Sequence, residues 1–187
     1  EHQDNDSAIM YGHLDADGSG IEVIDLWTTS NDVQDLDAYL DSSGVIHLVW
    51  SEREQFFQVN YAVLEFSRLA NIDQVTHSEA PSIRPTVVVD SDGTPHLTYF
   101  ESSQRGVDVM YSTKGNDGWS QPTVLGAGSA QEIQHGGSIA MVVRSDVIDV
   151  SWAGVPKNSA TPHLYITRIE SDGKIESPVQ LVPGSRP

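Results

Sequence analysis

The stretch Asp90-Ser91-Asp92-Gly93-Thr94-Pro95-His96-Leu97-Thr98-Tyr99-Phe100-Glu101 decides how this chain folds, because the chain contains it twice. At a shift of 49 residues stands Asp41-Ser42-Ser43-Gly44-Val45-Ile46-His47-Leu48-Val49-Trp50-Ser51-Glu52. A degenerate third copy, Asp146-Val147-Ile148-Asp149-Val150-Ser151-Trp152, follows after a similar interval. A second series runs out of phase with the first. Tyr11, Tyr61, Tyr111 and Tyr165 lie 50, 50 and 54 residues apart, and each closes a short apolar run. Repeats of roughly 40–50 residues that hold several strands each are the signature of propeller blades.

One repeat can be read strand by strand. Pro85 to Asp90 is rich in β-branched residues and predicts a buried strand. Ser91-Asp92-Gly93 is turn chemistry, with glycine supplying positive φ. His96–Phe100 and Val107–Ser112 read as the second and third strands, Gly115-Asn116-Asp117-Gly118 as a tight turn, and Trp119–Leu125 as the fourth strand. No segment carries a sustained 3.6-residue apolar stripe with caps, so no substantial helix is expected. The expected fold class is all-β: four-stranded antiparallel propeller blades in an incomplete ring.

Laid on this template, residues 1–187 form a single propeller segment. Residues 8–28 hold an outer half-blade, and blades follow over 33–77, 83–126 and 135–182. The tail Gly184-Ser185-Arg186-Pro187 echoes Ser82-Ile83-Arg84-Pro85, as if a further inner strand were to begin. A lone blade cannot bury both of its faces, so further blades or another chain are expected to complete the ring.

Composition narrows the partners. The chain has no cysteine, so packed sheets rather than disulfides must hold it. Ten basic against 27 acidic residues give a net charge of −17, which argues against nucleic acid and against anionic membrane surfaces. No apolar run reaches the roughly 18 residues of a spanning helix. Glu1–Asp6 lacks the basic and apolar regions of a signal peptide, so either a signal has been removed or the chain begins inside a longer protein. Acidity of this degree suits an extracellular or cell-surface setting, while the absence of cysteine also fits a bacterial cytoplasm.

The string Asp90–Tyr99, followed by Val109-Met110-Tyr111-Ser112 and Gly118-Trp119-Ser120-Gln121-Pro122, resembles the sialidase-like, BNR-repeat propellers of bacterial secreted proteins. The resemblance covers the three full blades and part of the leading half. It implies a propeller fold shared by sialidases, other glycoside hydrolases, uronate polysaccharide lyases and sugar-binding propellers without catalysis. This chain has no full Ser-x-Asp-x-Gly-x-x-Trp turn motif, and the sialidase Arg-Ile-Pro motif appears only in changed order as Ile83-Arg84-Pro85. Both departures count against a sialidase proper.

Blade geometry says where a site belongs. The turns Ser42–Gly44, Ser91–Gly93, Gly115–Gly118 and Ser171–Gly173 are tight and fall on one face. Longer, chemically richer loops fall on the other: Ser51–Phe56, Glu101–Arg105, Gly126–Gly137 and Ala153–Thr161. Loops on a rigid scaffold carry function. The candidate ligand-binding residues on that face are Arg84, Arg105, His135, Arg53, Glu52 and Glu101, with Lys157 beside them. Arginine suits bidentate recognition of a sugar carboxylate, and His135 suits acid–base work. The plainer reading is a set of loop charges paired with neighbours. Arg84 stands out by preceding Pro85 at the start of an inner strand.

Glu52 and Glu101 occupy equivalent positions, and a carboxylate pair can cleave glycosides. Residues that recur with the repeat are more economically read as part of the blade itself. His47 and His96 are expected to hydrogen-bond within their blades, and Trp50, Tyr99 and Trp152 to sit between blades. Asp15-x-Asp17-x-Ser19 resembles the opening of a calcium loop without its closing glutamate, so a hairpin turn is expected there, with calcium a minor alternative. No nucleophile elbow, phosphate loop, zinc spacing or dinucleotide fingerprint occurs, and no cofactor is expected.

The catalytic residues are therefore left unassigned. The reading preferred is a non-catalytic recognition module that binds glycan, acidic sugars included, or protein on its loop face. The alternative is part of a carbohydrate-active enzyme with further catalytic residues outside these residues, and a purely architectural segment is a third.

Overall fold

The computed structural model describes residues 6–103, 106–129, 137–155 and 161–181. Among them every regular element is a strand, and no helix is long and apolar enough to cross a membrane. The strands form four antiparallel sheets that follow one another along the chain. A hairpin comes first, β1 (Ser7–Leu14) with β2 (Ile21–Thr29). The second sheet runs β3 (Val33–Leu40), β4 (Ile46–Arg53), β5 (Phe57–Glu65), β6 (Arg68–Gln74), each paired with the next. The third opens with β7 (Ser82–Val89), β8 (Pro95–Ser103) and β9 (Gly106–Gly115). Its fourth position is shared by β10 (Gly118–Trp119) and β11 (Thr123–Ala127), both on β9. The last sheet is β12 (Ala140–Arg144), β13 (Val147–Gly154), β14 (His163–Ile169) and β15 (Val179–Leu181).

The expected all-β blade architecture is thus the observed one. The continuous fourth strand expected over Trp119–Leu125 is instead broken at Ser120-Gln121-Pro122. Proline has no N–H to give to a ladder, so the chain leaves β9 there and rejoins it at Thr123.

The second and third sheets are closed by the same fastener. Asp41 accepts the backbone N–H groups of Ser43 and Val45 in a turn where Gly44 has φ 87°, and its second oxygen lies 3.2 Å from His47 Nε2. His47 Nδ1 lies 2.7 Å from the Tyr61 hydroxyl. Asp90, His96 and Tyr111 repeat this chain at 3.1 and 2.6 Å. The turn, second strand and third strand of a blade are therefore tied by one buried line of hydrogen bonds. The two repeating series of the sequence are the two ends of that line. In the last blade Asp149 stands in the histidine's place and pairs with Arg144 and Arg168 instead.

Side chains alternate along each strand, so every sheet presents apolar residues to both neighbours. Three buried clusters result, one per junction. Ile9, Leu48, Trp50 and Ala62 pack between the hairpin and the second sheet. Val49, Val59, Tyr61, Val87, Leu97, Tyr99 and Met110 pack between the second and third. Phe100, Val109, Leu125, Ile148, Val150 and Trp152 pack between the third and fourth. At the ends of the array the alternation meets no neighbour among the described residues: Met10, Ile21 and Val23 of the hairpin and Val142, Leu164 and Val179 of the last sheet are exposed. The ring is open at both ends.

Candidate functional site on the inner strands

The inner strands β3 and β7 lie side by side, and each carries a bulge at the same place. The ladder register jumps between Gln34 and Asp37 in β3 and between Ile83 and Thr86 in β7. Within these bulges Asp35 (φ 57°) and Arg84 (φ 53°) are left-handed. Non-glycine residues rarely adopt this backbone, and a residue before proline, as Arg84 is, is normally extended. Strain of this kind persists only where surrounding contacts impose it.

Those contacts are visible. The Arg84 backbone N–H donates to Asp35 Oδ2 at 3.2 Å. Asp37 Oδ2 accepts from the Thr86 hydroxyl at 2.6 Å and from the Val87 N–H at 3.1 Å. The Arg84 guanidinium donates through Nη1 to the Gly137 carbonyl at 2.9 Å, which links a third inner segment to the first two. Asp35, Leu36, Asp37, Arg84, Thr86 and Ser138 line a cavity of about 270 Å³ at this point. A guanidinium and two carboxylates therefore converge where successive inner strands meet. Among the described residues Arg84 has no carboxylate within ion-pair distance.

Other sequence candidates fall elsewhere. Glu52 is buried, and its two oxygens accept from Trp27 Nε1 (3.2 Å), Thr29 Oγ1 (2.8 Å), Asn31 Nδ2 (3.0 Å) and Trp50 Nε1 (3.2 Å). Burial by itself would raise its pKa, but these four donors together hold it below the ordinary value. A carboxylate so fully engaged is a staple between blades. Arg53 is exposed, 3.4 Å from Asp32 and over the Phe57 ring. Glu101 is half-buried and accepts one hydrogen bond among the described residues, from Ser82 at 3.3 Å. Arg105, His135 and Lys157 lie outside the described residues. At the calcium candidate, Asp17 caps the N–H of Ser19 and Asp15 closes the turn with Gly20. Among the described residues no three acidic, histidine or cysteine side chains gather as a metal site would need.

Sequence reasoning missed Asp35 and Asp37. The signal was present, because the 49-residue shift that joins the two longest repeats sets Asp35 against Arg84 and Asp37 against Thr86.

These sheets define a β-propeller with an open ring. No family model matches the chain, and no curated protein matches it. Solved structures do. An endo-1,4-beta-xylanase from Bacteroides thetaiotaomicron is 14% identical with a TM-score of 0.52, over 81% of this chain and 60% of that one. The catalytic domain of a GH62 alpha-L-arabinofuranosidase from Coprinopsis cinerea is 14% identical with a TM-score of 0.49, over 79% of this chain and 50% of that one. At such identity the likeness to the xylanase carries the fold alone. The chain spans between half and three-fifths of the length of these structures.

Proposed function

We propose that the chain is a non-catalytic recognition segment of a secreted or surface propeller of the sialidase-like kind, binding a glycan with an acidic group at the inner-strand cavity. The observation that carries this reading is the strained, half-buried Arg84, aimed into a cavity and free of ion-pair partners among the described residues. Its guanidinium keeps donors beyond the one given to Gly137, and a fork of N–H groups matches a sugar carboxylate. Carbohydrate as the ligand class is further supported by the endo-1,4-beta-xylanase that shares this fold. Calorimetric titration with an acidic oligosaccharide tests it. Arg84→Ala is expected to weaken binding by about 1.5–3 kcal/mol, tenfold or more. Lys174→Ala, on the turn after β14, is expected to change nothing. An Arg84→Ala protein that binds as tightly as the parent would overturn the reading.

A second reading is favoured by one observation, the presence of Asp35 and Asp37 in the same cavity. In it the segment belongs to a carbohydrate-active enzyme, and one of these carboxylates acts on the bound sugar with groups supplied by further blades. Asp35→Asn separates the two. Binding retained with glycoside cleavage abolished favours the enzyme, whereas binding without any cleavage by the parent protein favours the recognition module.

A further inference from the structure

The three blade junctions meet one problem, a large aromatic residue with a polar atom buried between sheets, and two of them solve it. The aromatic residues are Trp50, Tyr99 and Trp152, all at most 1% exposed. At the first junction Trp50 donates to Glu52, which also holds Trp27, Thr29 and Asn31 of the preceding blade. At the third, Trp152 donates to the Ala127 carbonyl at 3.1 Å. The second junction has the same two side chains one repeat on, Tyr99 and Glu101, without the filling. Among the described residues the Tyr99 hydroxyl is buried with no hydrogen bond of normal geometry, only a weak interaction with the Ser112 side chain, and Trp119 Nε1 in the same cleft is buried with no partner.

The missing filling can be traced. Trp27 pairs with Ile9 across its hairpin; one repeat later Thr76, just past the end of β6, donates its backbone N–H to the Val59 carbonyl at 3.4 Å. Thr76, Ser78 and Ala80 thus stand where Trp27, Thr29 and Asn31 stand at the first junction. Thr76 donates to Gln58 and accepts from the Val59 N–H, and the Ser78 backbone is bonded to Gln58. None of them reaches Glu101. A threonine stands in the tryptophan's place, and a cleft of about 840 Å³ lies between the blades, lined by Thr76, Ser78, Tyr99, Glu101, Asn116 and Trp119 among others.

We infer that this inter-blade cleft is a second binding site, separate from the Arg84 cavity, and that it takes a neutral sugar ring of a glycan. Such a ring has the two things the first junction supplies from within. Its hydroxyls donate to a carboxylate, here Glu101, and its flat C–H face fills the place of the indole. Its remaining oxygens suit the Trp119 N–H and the weakly held Tyr99 hydroxyl. An acidic sugar fits poorly. Among the described residues the one lysine of the cleft, Lys114, is held 2.7 Å from Asp73, and the carboxyl group of Glu101 faces the ligand. Burial, and then the Glu101 charge, push the Tyr99 phenol above its ordinary value, so it remains a donor through the neutral range.

The four tryptophans make this measurable, because each gives one indole N–H signal in a ¹⁵N-labelled protein. Titration with cellotriose or mannotriose is expected to move the Trp119 signal saturably and to leave that of Trp50 in place. Tyr99→Phe is expected to weaken the titration about threefold to tenfold, and Glu101→Ala about tenfold or more. Arg84→Ala is expected to leave it unchanged, so failure here is distinct from failure at the inner-strand cavity. The inference is overturned if neither sugar moves Trp119 at millimolar concentration, or if both cleft variants, still folded by their melts, titrate like the parent. It is also overturned if a galacturonate trimer binds in preference, or if N-acetyltryptophanamide alone saturates the signal, since the cleft would then belong to a partner protein's indole.

Discussion

The first and second blade junctions are built from the same repeat and differ chiefly in one wall. At the first, Trp27, Thr29 and Asn31 close over Trp50 and satisfy Glu52. At the second, the wall is Thr76, Ser78 and Ala80, and Tyr99 and Glu101 face a cleft. A repeat thus becomes structural or available according to the residues its neighbour contributes. The third junction takes another route, with glycines that let the β11 backbone lie directly on Trp152.

The largest effect that would break this comparison is Trp50→Ala. It removes a fully buried indole and one of the four donors to Glu52, so a loss of about 3–5 kcal/mol in urea unfolding is expected. A loss under about 1 kcal/mol would mean that the leading hairpin is not held by this staple. Next comes Gly154→Ala. A Cβ there would lie 2.3 Å from the Ala127 carbonyl oxygen, a backbone atom, and 3.1 Å from Trp152 Nε1. Overpacking of this kind costs about 1–3 kcal/mol, and the same assay should show it. Gly12→Ala, in open space on β1, serves as the control.

Acid unfolding sharpens the contrast between the two carboxylates. Glu52 has a folded pKa below its ordinary value of 4.5, so its contribution is present above that value and is lost as pH falls through the folded pKa. Glu52→Gln should therefore flatten the acid limb of the stability curve below about pH 4.5. Asp41 adds to the limb lower down. Burial opposes its ionised form, yet bonds from Ser43, Val45 and His47 bring it from 3.8 to about 2, so its contribution disappears across that window. An acid limb identical in Glu52→Gln and parent would contradict the staple. The smallest effect is expected at the open junction. Tyr99→Phe deletes a hydroxyl held at most weakly, by the Ser112 side chain, among the described residues, and stability without ligand should change by no more than about 0.5 kcal/mol in either direction. A larger loss would reveal a stronger bond to that hydroxyl in solution.

Much of this architecture was legible before any coordinates. The tyrosine spacing and the Asp-Gly-His turns pointed to blades, because a repeat must place like residues at like depth in like sheets. The in-phase histidines were legible as packing residues, although their bonds to Tyr61 and Tyr111 were not, since those partners lie 14 and 15 residues away across a strand pair. Arg84 was legible as unusual from its proline. Asp35 and Asp37 went unnoticed because a bulge, which has no compositional mark here, turns them toward the next strand. Glu52 and Glu101 could not be told apart by their own neighbours in sequence.

Local sequence determined the strands, the tight turns and the alternation that gives each sheet two apolar faces, since these follow from β-propensity, glycine at positive φ and a period of two. What sits opposite each face was decided only in the tertiary structure. A carboxylate becomes a staple when four donors converge on it and stays available when one does, and three of the four donors on Glu52 come from the preceding blade, 21 to 25 residues away in the chain. Charge, burial and vacancy at a junction are properties of two surfaces meeting. No single repeat contains both.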